Sequence, residues 1–199
     1  MNIVFLSASV PLPNRHPRFM STADVVAIRE SVKALVSEVV PRGRLVFGGH
    51  PAITPLIALL LRNLDPATNR RITLYQSEYF SRNFLPENSE FVDVEIVPSI
   101  RKSKKRSLAA MRKKMITSYK FDAGVFIGGM EGVKEEFLLF KKTHPDAQRW
   151  IIGSTGAAAQ ELYEQRGKPR PDYFMHELTY ATLFRNLMRE LPGNVLHEN

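Results

Sequence analysis

The sequence predicts a Rossmann-like α/β fold, a doubly wound and mainly parallel sheet with helices on both faces. Three observations predict it. Short apolar runs alternate with amphipathic stretches along the whole chain, the order of a sheet built from strand–helix–strand units. Two runs, Val125-Phe126-Ile127 and Trp150-Ile151-Ile152, are apolar without interruption, as parallel strands buried on both faces are. Glycine- or serine-rich turns follow four of the strands at their carboxyl ends, whereas chance would scatter such turns to both ends.

The elements follow in order. Ile3 to Ser7 reads as the first strand. Ser21 to Val40 reads as a helix, because Val25, Ile28, Val32, Leu35, Val36 and Val39 share one face. Ser21 with Asp24 resembles a capping box, and Pro41 with Gly43 closes the helix. Arg44 to Phe47 is the second strand. A helix from Pro51 to about Asn63 follows it, with Pro51 in the first turn where its missing N–H costs nothing. Ile72 to Gln76 and Asp93 to Val97 are the third and fourth strands. The basic helix of residues 102–114 sets Leu108, Met111, Met115 and Tyr119 on one side. Val125 to Ile127 is the fifth strand, and its helix carries Val133, Phe137 and Phe140 on one face. Arg149 to Ile152 is the sixth strand, and Ser154 or Thr155 caps a helix to about Arg166. Gly167 to Pro171 is a break. A last helix spans Tyr173 to Leu191, with Leu178, Ala181, Phe184, Leu187, Met188 and Leu191 as its apolar face.

The chain of 199 residues is expected to be one domain, 1–199, long enough to bury a full core. It has no cysteine, which excludes disulfides and thiolate metal sites. The amino terminus lacks a basic leader and reads as a strand, and no apolar run reaches membrane-spanning length. A cytoplasmic protein without a membrane partner is expected. The net charge of +8 is concentrated in Arg101 to Lys120 and favours anionic partners. The basic helix lacks interleaved aromatics and any reader motif, so nucleic acid is the lesser expectation beside a solvated face or an acidic protein partner. The five histidines are scattered, and no metal site is expected.

In sheets of this kind the ligand lies beyond the carboxyl ends of the strands. Those ends carry Ser7-Ala8-Ser9, Gly48-Gly49-His50, Gly128-Gly129-Met130-Glu131-Gly132 and Gly153-Ser154-Thr155-Gly156. Glycines let a backbone approach a phosphate closely, and a helix amino end presents free N–H groups to an anion. A common anion pocket is therefore expected, lined by Ser7, Ser9, Gly48, Gly49, His50, Gly128, Gly129, Met130, Glu131, Gly132, Glu136, Ser154, Thr155 and Gly156. The bland readings stand beside these. Ser7 and Ser9 suit phosphate or ribose, or ordinary turn chemistry. Ser154 and Thr155 suit the pocket or a helix cap. His50 suits a base or phosphate, or a structural role. Glu131 suits the orientation of a cation, or a cap. Glu136 suits a ribose diol or acid–base work, or a solvated first turn. Arg15 and Arg18, in the loop after the first strand, are candidate phosphate clamps.

The arrangement from Ser7 to Thr155 resembles the SLOG superfamily, the Rossmann-like group of the SMF/DprA proteins and the LOG phosphoribohydrolases. Gly128 to Glu136 is similar to that family's Gly-Gly-x-Gly-Thr-x-x-Glu motif with one residue inserted, so that Gly132, Val133 and Glu136 match its Gly, Thr and Glu. Gly48-Gly49 is similar to the family's earlier glycine turn. The chain also resembles the stand-alone SLOG domains of prokaryotic conflict systems. The resemblance implies a sensor module for a nucleotide-derived ligand such as an ADP-ribose relative, in signalling or antiviral defence, with pairing of copies through helices. It implies no cofactor besides the nucleotide ligand. The alternative it implies is a nucleoside-monophosphate phosphoribohydrolase with Glu136 as its catalytic residue. Val133 in place of Thr, and no arginine recognised as partner to the motif glutamate, weigh against the enzyme.

Overall fold

The structure is a computed structural model that describes residues 1–13, 17–165 and 170–192. Its strands are β1 (Ile3–Ser9), β2 (Arg44–Gly48), β3 (Ile72–Ser77), β4 (Asp93–Val97), β5 (Ala123–Gly128) and β6 (Gln148–Ile152). They form one sheet in the order β4-β3-β2-β1-β5-β6, with every neighbouring pair parallel. The chain steps outward from β1 through β2, β3 and β4, then crosses back to β5 and β6. The direction reverses between β1 and β5, the switch point at which ligand crevices form.

Successive strand residues point to opposite faces, and both faces are covered. Val4, Leu6, Leu45 and Phe47 lie in a core under α2 (Val25–Val39), α3 (Thr54–Leu61) and the last helix. Phe5, Val46, Phe126 and Ile151 lie in a second core under α5 (Lys104–Thr117), α6 (Glu131–Thr143) and α7 (Ala157–Glu164). Phe5 stacks on Phe140 with ring centroids 5.4 Å apart, so packing joins β1 to α6 directly. Short helices α1 (Pro17–Met20) and α4 (Pro66–Asn69) decorate the loops after β1 and before β3.

Several element ends differ from expectation, each for a local reason. Asp24 alone caps α2, its carboxylate accepting the Ala27 N–H at 2.8 Å, while Ser21 donates to the Arg18 carbonyl. α3 starts at Thr54 with Pro55, not Pro51, in its first turn. Residues 153–155 form a 3-10 turn, and α7 starts after Gly156 without a side-chain cap, so Ser154 and Thr155 do not cap it. The expected end of that helix at Arg166 lies outside the described residues. The last helix is broken into α8 (Tyr173–His176) and α9 (Tyr180–Arg189). Glu177 accepts both the N–H and the hydroxyl of Thr179, at 2.6 and 2.5 Å, and this local bonding competes with helix continuation. Leu178 is consequently exposed and Ala181 faces out, while Tyr180 and Leu183 take the buried places. The β3–β4 connection holds two 3-10 turns, Glu78–Asn83 and Pro86–Glu90, where the sequence shows no period.

Candidate functional site

A cavity of about 500 Å³ opens beyond the carboxyl ends of β1, β2 and β3 and beside the amino end of α6. Ser9, Gly48, Gly49 and His50 line it from the strand ends, and Met130, Glu131, Gly132, Val133 and Glu136 line it from α6. Lys104, Leu108, Met111 and Arg112 of α5 form another wall. Gln76, Phe80, Asn83, Phe84 and Leu85 close the side beneath the β3–β4 connection.

Glu136 is the best-anchored charge in this wall. Its carboxylate accepts the Ser7 hydroxyl at 2.6 Å and the Arg112 Nε–H at 3.1 Å. Arg112 also donates to Glu135 through Nη1. The Glu136 and Arg112 side chains are only 14% and 16% exposed. Burial pushes the Glu136 carboxyl above its ordinary range, against the opposing pull of the Arg112 charge and of the bonds from Ser7 and Arg112. Ser7, itself fully buried, is thus a support for Glu136 from β1. A Cβ at Gly132 would come within 2.7 Å of Arg112 Nη2, so glycine at that position leaves room for the guanidinium.

Arg112 is the arginine partner that sequence reading did not find. It stands among five other cations between Lys104 and Lys114. It lies four residues after Leu108 and next to Met111, at the border of the apolar stripe. A cation on that border, and not out on the solvated face, is the signal that distinguishes it.

His50 follows β2. Its Nδ1 accepts the Ala52 N–H at 3.2 Å, which assigns the neutral ring's proton to Nε2. Burial lowers its pKa to about 4, so the ring is uncharged at neutral pH. Glu131 pairs with Arg18 at 2.6 Å, and Arg18 also lies 3.6 Å from Glu161. Arg18 does not line the cavity, and Arg15 lies outside the described residues.

The remaining candidates sit on the turns behind the cavity and do not line it. The Gly128 N–H donates to the Thr155 hydroxyl at 2.8 Å, and that hydroxyl donates to the Ile152 carbonyl at 2.6 Å. Gly129 has φ +88, and a Cβ there would collide with Val133. Gly156 has φ +70, and a Cβ there would collide with the Thr22 carbonyl. Ser154 bonds to the Glu177 carbonyl and to the Tyr180 hydroxyl. These groups tie the ends of β5 and β6 to α2, α6 and α9. Among the described residues no group of three His, Cys, Asp or Glu could hold a metal ion. No described helix is long and apolar enough to cross a membrane.

The sequence model of the SLOG cluster3 family matches residues 18–188. The chain belongs to that family. Membership fits a nucleotide-related binding domain with a small-molecule partner. No curated protein and no solved structure matches the chain.

Proposed function

We propose that the protein is a binding module for a nucleotide or nucleotide-sugar-derived ligand of the ADP-ribose kind, held in the cavity at the strand ends. The observation that carries this reading is the Arg112–Glu136 pair on the cavity wall beside the β1/β5 switch point, held from behind by the buried Ser7, which does not itself line the cavity. A carboxylate fixed by two donors keeps lone pairs for the hydroxyls of a ribose. α6 begins without a side-chain cap, and its first N–H groups and dipole suit a phosphate. Glu131 would repel that phosphate, but Arg18 neutralises it. Lys104 adds positive charge to the wall, whereas the Arg112 charge is already paired with Glu135 and Glu136. A signalling or antiviral role belongs to this reading through the family's conflict-system members.

Native mass spectrometry of the purified protein tests the reading. A retained nucleotide-class mass, or thermal stabilisation by AMP or ADP-ribose, is expected. Neither a retained mass nor stabilisation by any nucleotide would reject it. Pairing of copies through the last helix gains no support, because α9 turns Leu183, Phe184, Leu187 and Met188 into the core. The exposed cations of α5 fit contact with an acidic protein.

A second reading is favoured by Arg112 itself. An arginine on the motif glutamate is what the phosphoribohydrolase alternative requires. In that reaction water adds to the ribose C1′, the N-glycosidic bond breaks and the base departs with a proton. Glu136, with its raised pKa, suits the transfer of that proton.

A further inference from the structure

We propose that the β3 side of the cavity is a subsite for a 6-aminopurine base, with Gln76 as its specificity-determining residue. The inference rests on the nucleotide reading above and adds to it the group that reads the base.

The cavity is chemically divided. Most of its charged and hydroxyl groups, Ser9, Glu131, Glu136 and Arg112, gather at the β1 and α6 end, while Lys104 lies over the Phe80 ring with Nζ 6.0 Å from its centroid. Its other end, under the β3–β4 connection, is walled by Phe80, Phe84 and Leu85, all half-buried. β1 and β3 are separated by β2. Two strand spacings of about 4.8 Å place the two ends roughly 10 Å apart. That distance leaves room for a ribose on Glu136 and a base at the far end. Phenylalanines turned into a cavity and left half-exposed suit a flat apolar ring, because base–aromatic contact is favourable for any base.

Gln76 is the polar group at this end. It is only 9% exposed, yet it lines the cavity. Its amide lies against Gly49, where any Cβ would collide with it, so Gly49 is what admits the side chain. Nε2 donates to Asn88 Oδ1 at a long 3.3 Å. Among the described residues Oε1 accepts no hydrogen bond. Oε1 is not sealed from solvent, so it is an acceptor that a ligand in the cavity can reach, and an exocyclic amine is the group that satisfies it. Glutamine amides pair with adenine at N6 and N7 for the same reason. A 6-oxopurine would set its carbonyl against Oε1.

The test is isothermal titration with AMP, IMP and ribose 5-phosphate. In wild type, AMP is expected to bind about tenfold or more tightly than IMP, the discrimination of one good amide–base pair. Ribose 5-phosphate should bind more weakly than either nucleotide. Gln76→Leu should remove the AMP–IMP difference and leave ribose 5-phosphate affinity unchanged. Should that buried substitution fail to fold, Phe84→Ala serves instead, lowering AMP affinity and sparing ribose 5-phosphate. Equal AMP and IMP affinities in wild type, or AMP binding no tighter than ribose 5-phosphate, would overturn the subsite alone. Discrimination that survives Gln76→Leu in a folded protein would do the same. Binding of none of the three ligands would overturn this inference, and absence of ADP-ribose binding as well would reject the nucleotide reading with it.

Discussion

Arg112 and Glu136 stand 24 residues apart in the chain, on different helices, and the Nε–H of one donates to the carboxylate of the other at 3.1 Å. The pair crosses from α5 to α6 over the end of β1, and Ser7 completes it from the strand. Three segments that share no local pattern therefore meet at one carboxylate.

Removing the cation should expose the cost of that carboxylate. Arg112→Ala leaves Glu136 largely buried with only Ser7 as donor. Breaking a buried pair from one side costs on the order of 3 kcal/mol. The Glu136 pKa is already raised by burial, and loss of Arg112 should raise it further. An acid with a raised folded pKa favours the folded state at low pH and loses that advantage as pH rises through the folded value. The deficit of Arg112→Ala should therefore be larger at pH 7 than at pH 5. Urea unfolding at both pH values checks this, and an equal deficit at the two would contradict it.

The glycines divide into two kinds. Gly129→Val and Gly156→Ala should be strongly destabilising, by about 2 kcal/mol or more. Both positions have positive φ, and an added Cβ collides with Val133 at one and with the Thr22 carbonyl at the other. Gly132→Ala should keep nearly wild-type stability and weaken ligand binding. Its Cβ meets only the Nη2 end of Arg112, which can give way while Nε keeps its bond to Glu136. Thermal melts with and without AMP distinguish the cases. A stable Gly156→Ala protein would refute the packing argument.

The glycine turns were legible as special positions, but sequence could not say what approached them. Gly128 and Gly129 are placed by Ile28, Ser9 and Val133, and Gly156 by Thr22, contacts that, Val133 apart, cross 100 to 134 residues and are set by tertiary packing. The strands were legible because Val125 to Ile127 and Trp150 to Ile152 have no polar interruption. The wall of Phe80, Phe84 and Leu85 was not, because 3-10 turns impose no repeating apolar spacing. The α8–α9 break was hidden for the opposite reason. The helical period runs on through Leu178, and only the Glu177–Thr179 bonding interrupts it.

His50 should make stability fall on acidification. Its folded pKa is lowered to about 4 by burial, against about 6.5 in the unfolded chain. Between these values the unfolded state takes up the proton first, so stability declines as pH drops from about 6.5 to about 4. The ring is half-buried, and solvent screening should hold the effect to about 1–2 kcal/mol, below the full linkage value. His50→Gln should flatten that part of the melting-temperature profile. An unchanged slope in the variant would assign the acid loss to other groups.

The basic helix should split at its amino end. Lys104 lines the cavity, whereas Lys105 and Arg106 are exposed and do not. Lys104→Glu is expected to weaken AMP binding several-fold, with the loss shrinking at high salt. Lys105→Glu with Arg106→Glu should change AMP affinity by less than about twofold, because exposed charges that do not line the cavity are weakened by water and salt. Titration at low and high salt measures both. A larger effect from the double variant than from Lys104→Glu would move the anion contact out onto the helix face.

Glu136→Gln separates a binding module from an enzyme. The substitution keeps the shape and one acceptor oxygen and removes the negative charge. Ser7 keeps an acceptor, and Arg112 keeps Glu135, so the fold should survive. In a pure binding module the loss is that of one or two charge-assisted bonds to ribose, about 1–2 kcal/mol in affinity. No turnover disappears, because there is none. In a phosphoribohydrolase the same variant would lose the group that moves the proton as the N-glycosidic bond breaks. General acid–base catalysis is worth on the order of a hundredfold or more, far above the affinity change. The measurement is release of free adenine from AMP by wild type and variant over hours, alongside AMP affinity for both. The binding reading expects no adenine from either protein and an affinity loss near tenfold. Adenine release by wild type that vanishes in Glu136→Gln would replace that reading with the hydrolase.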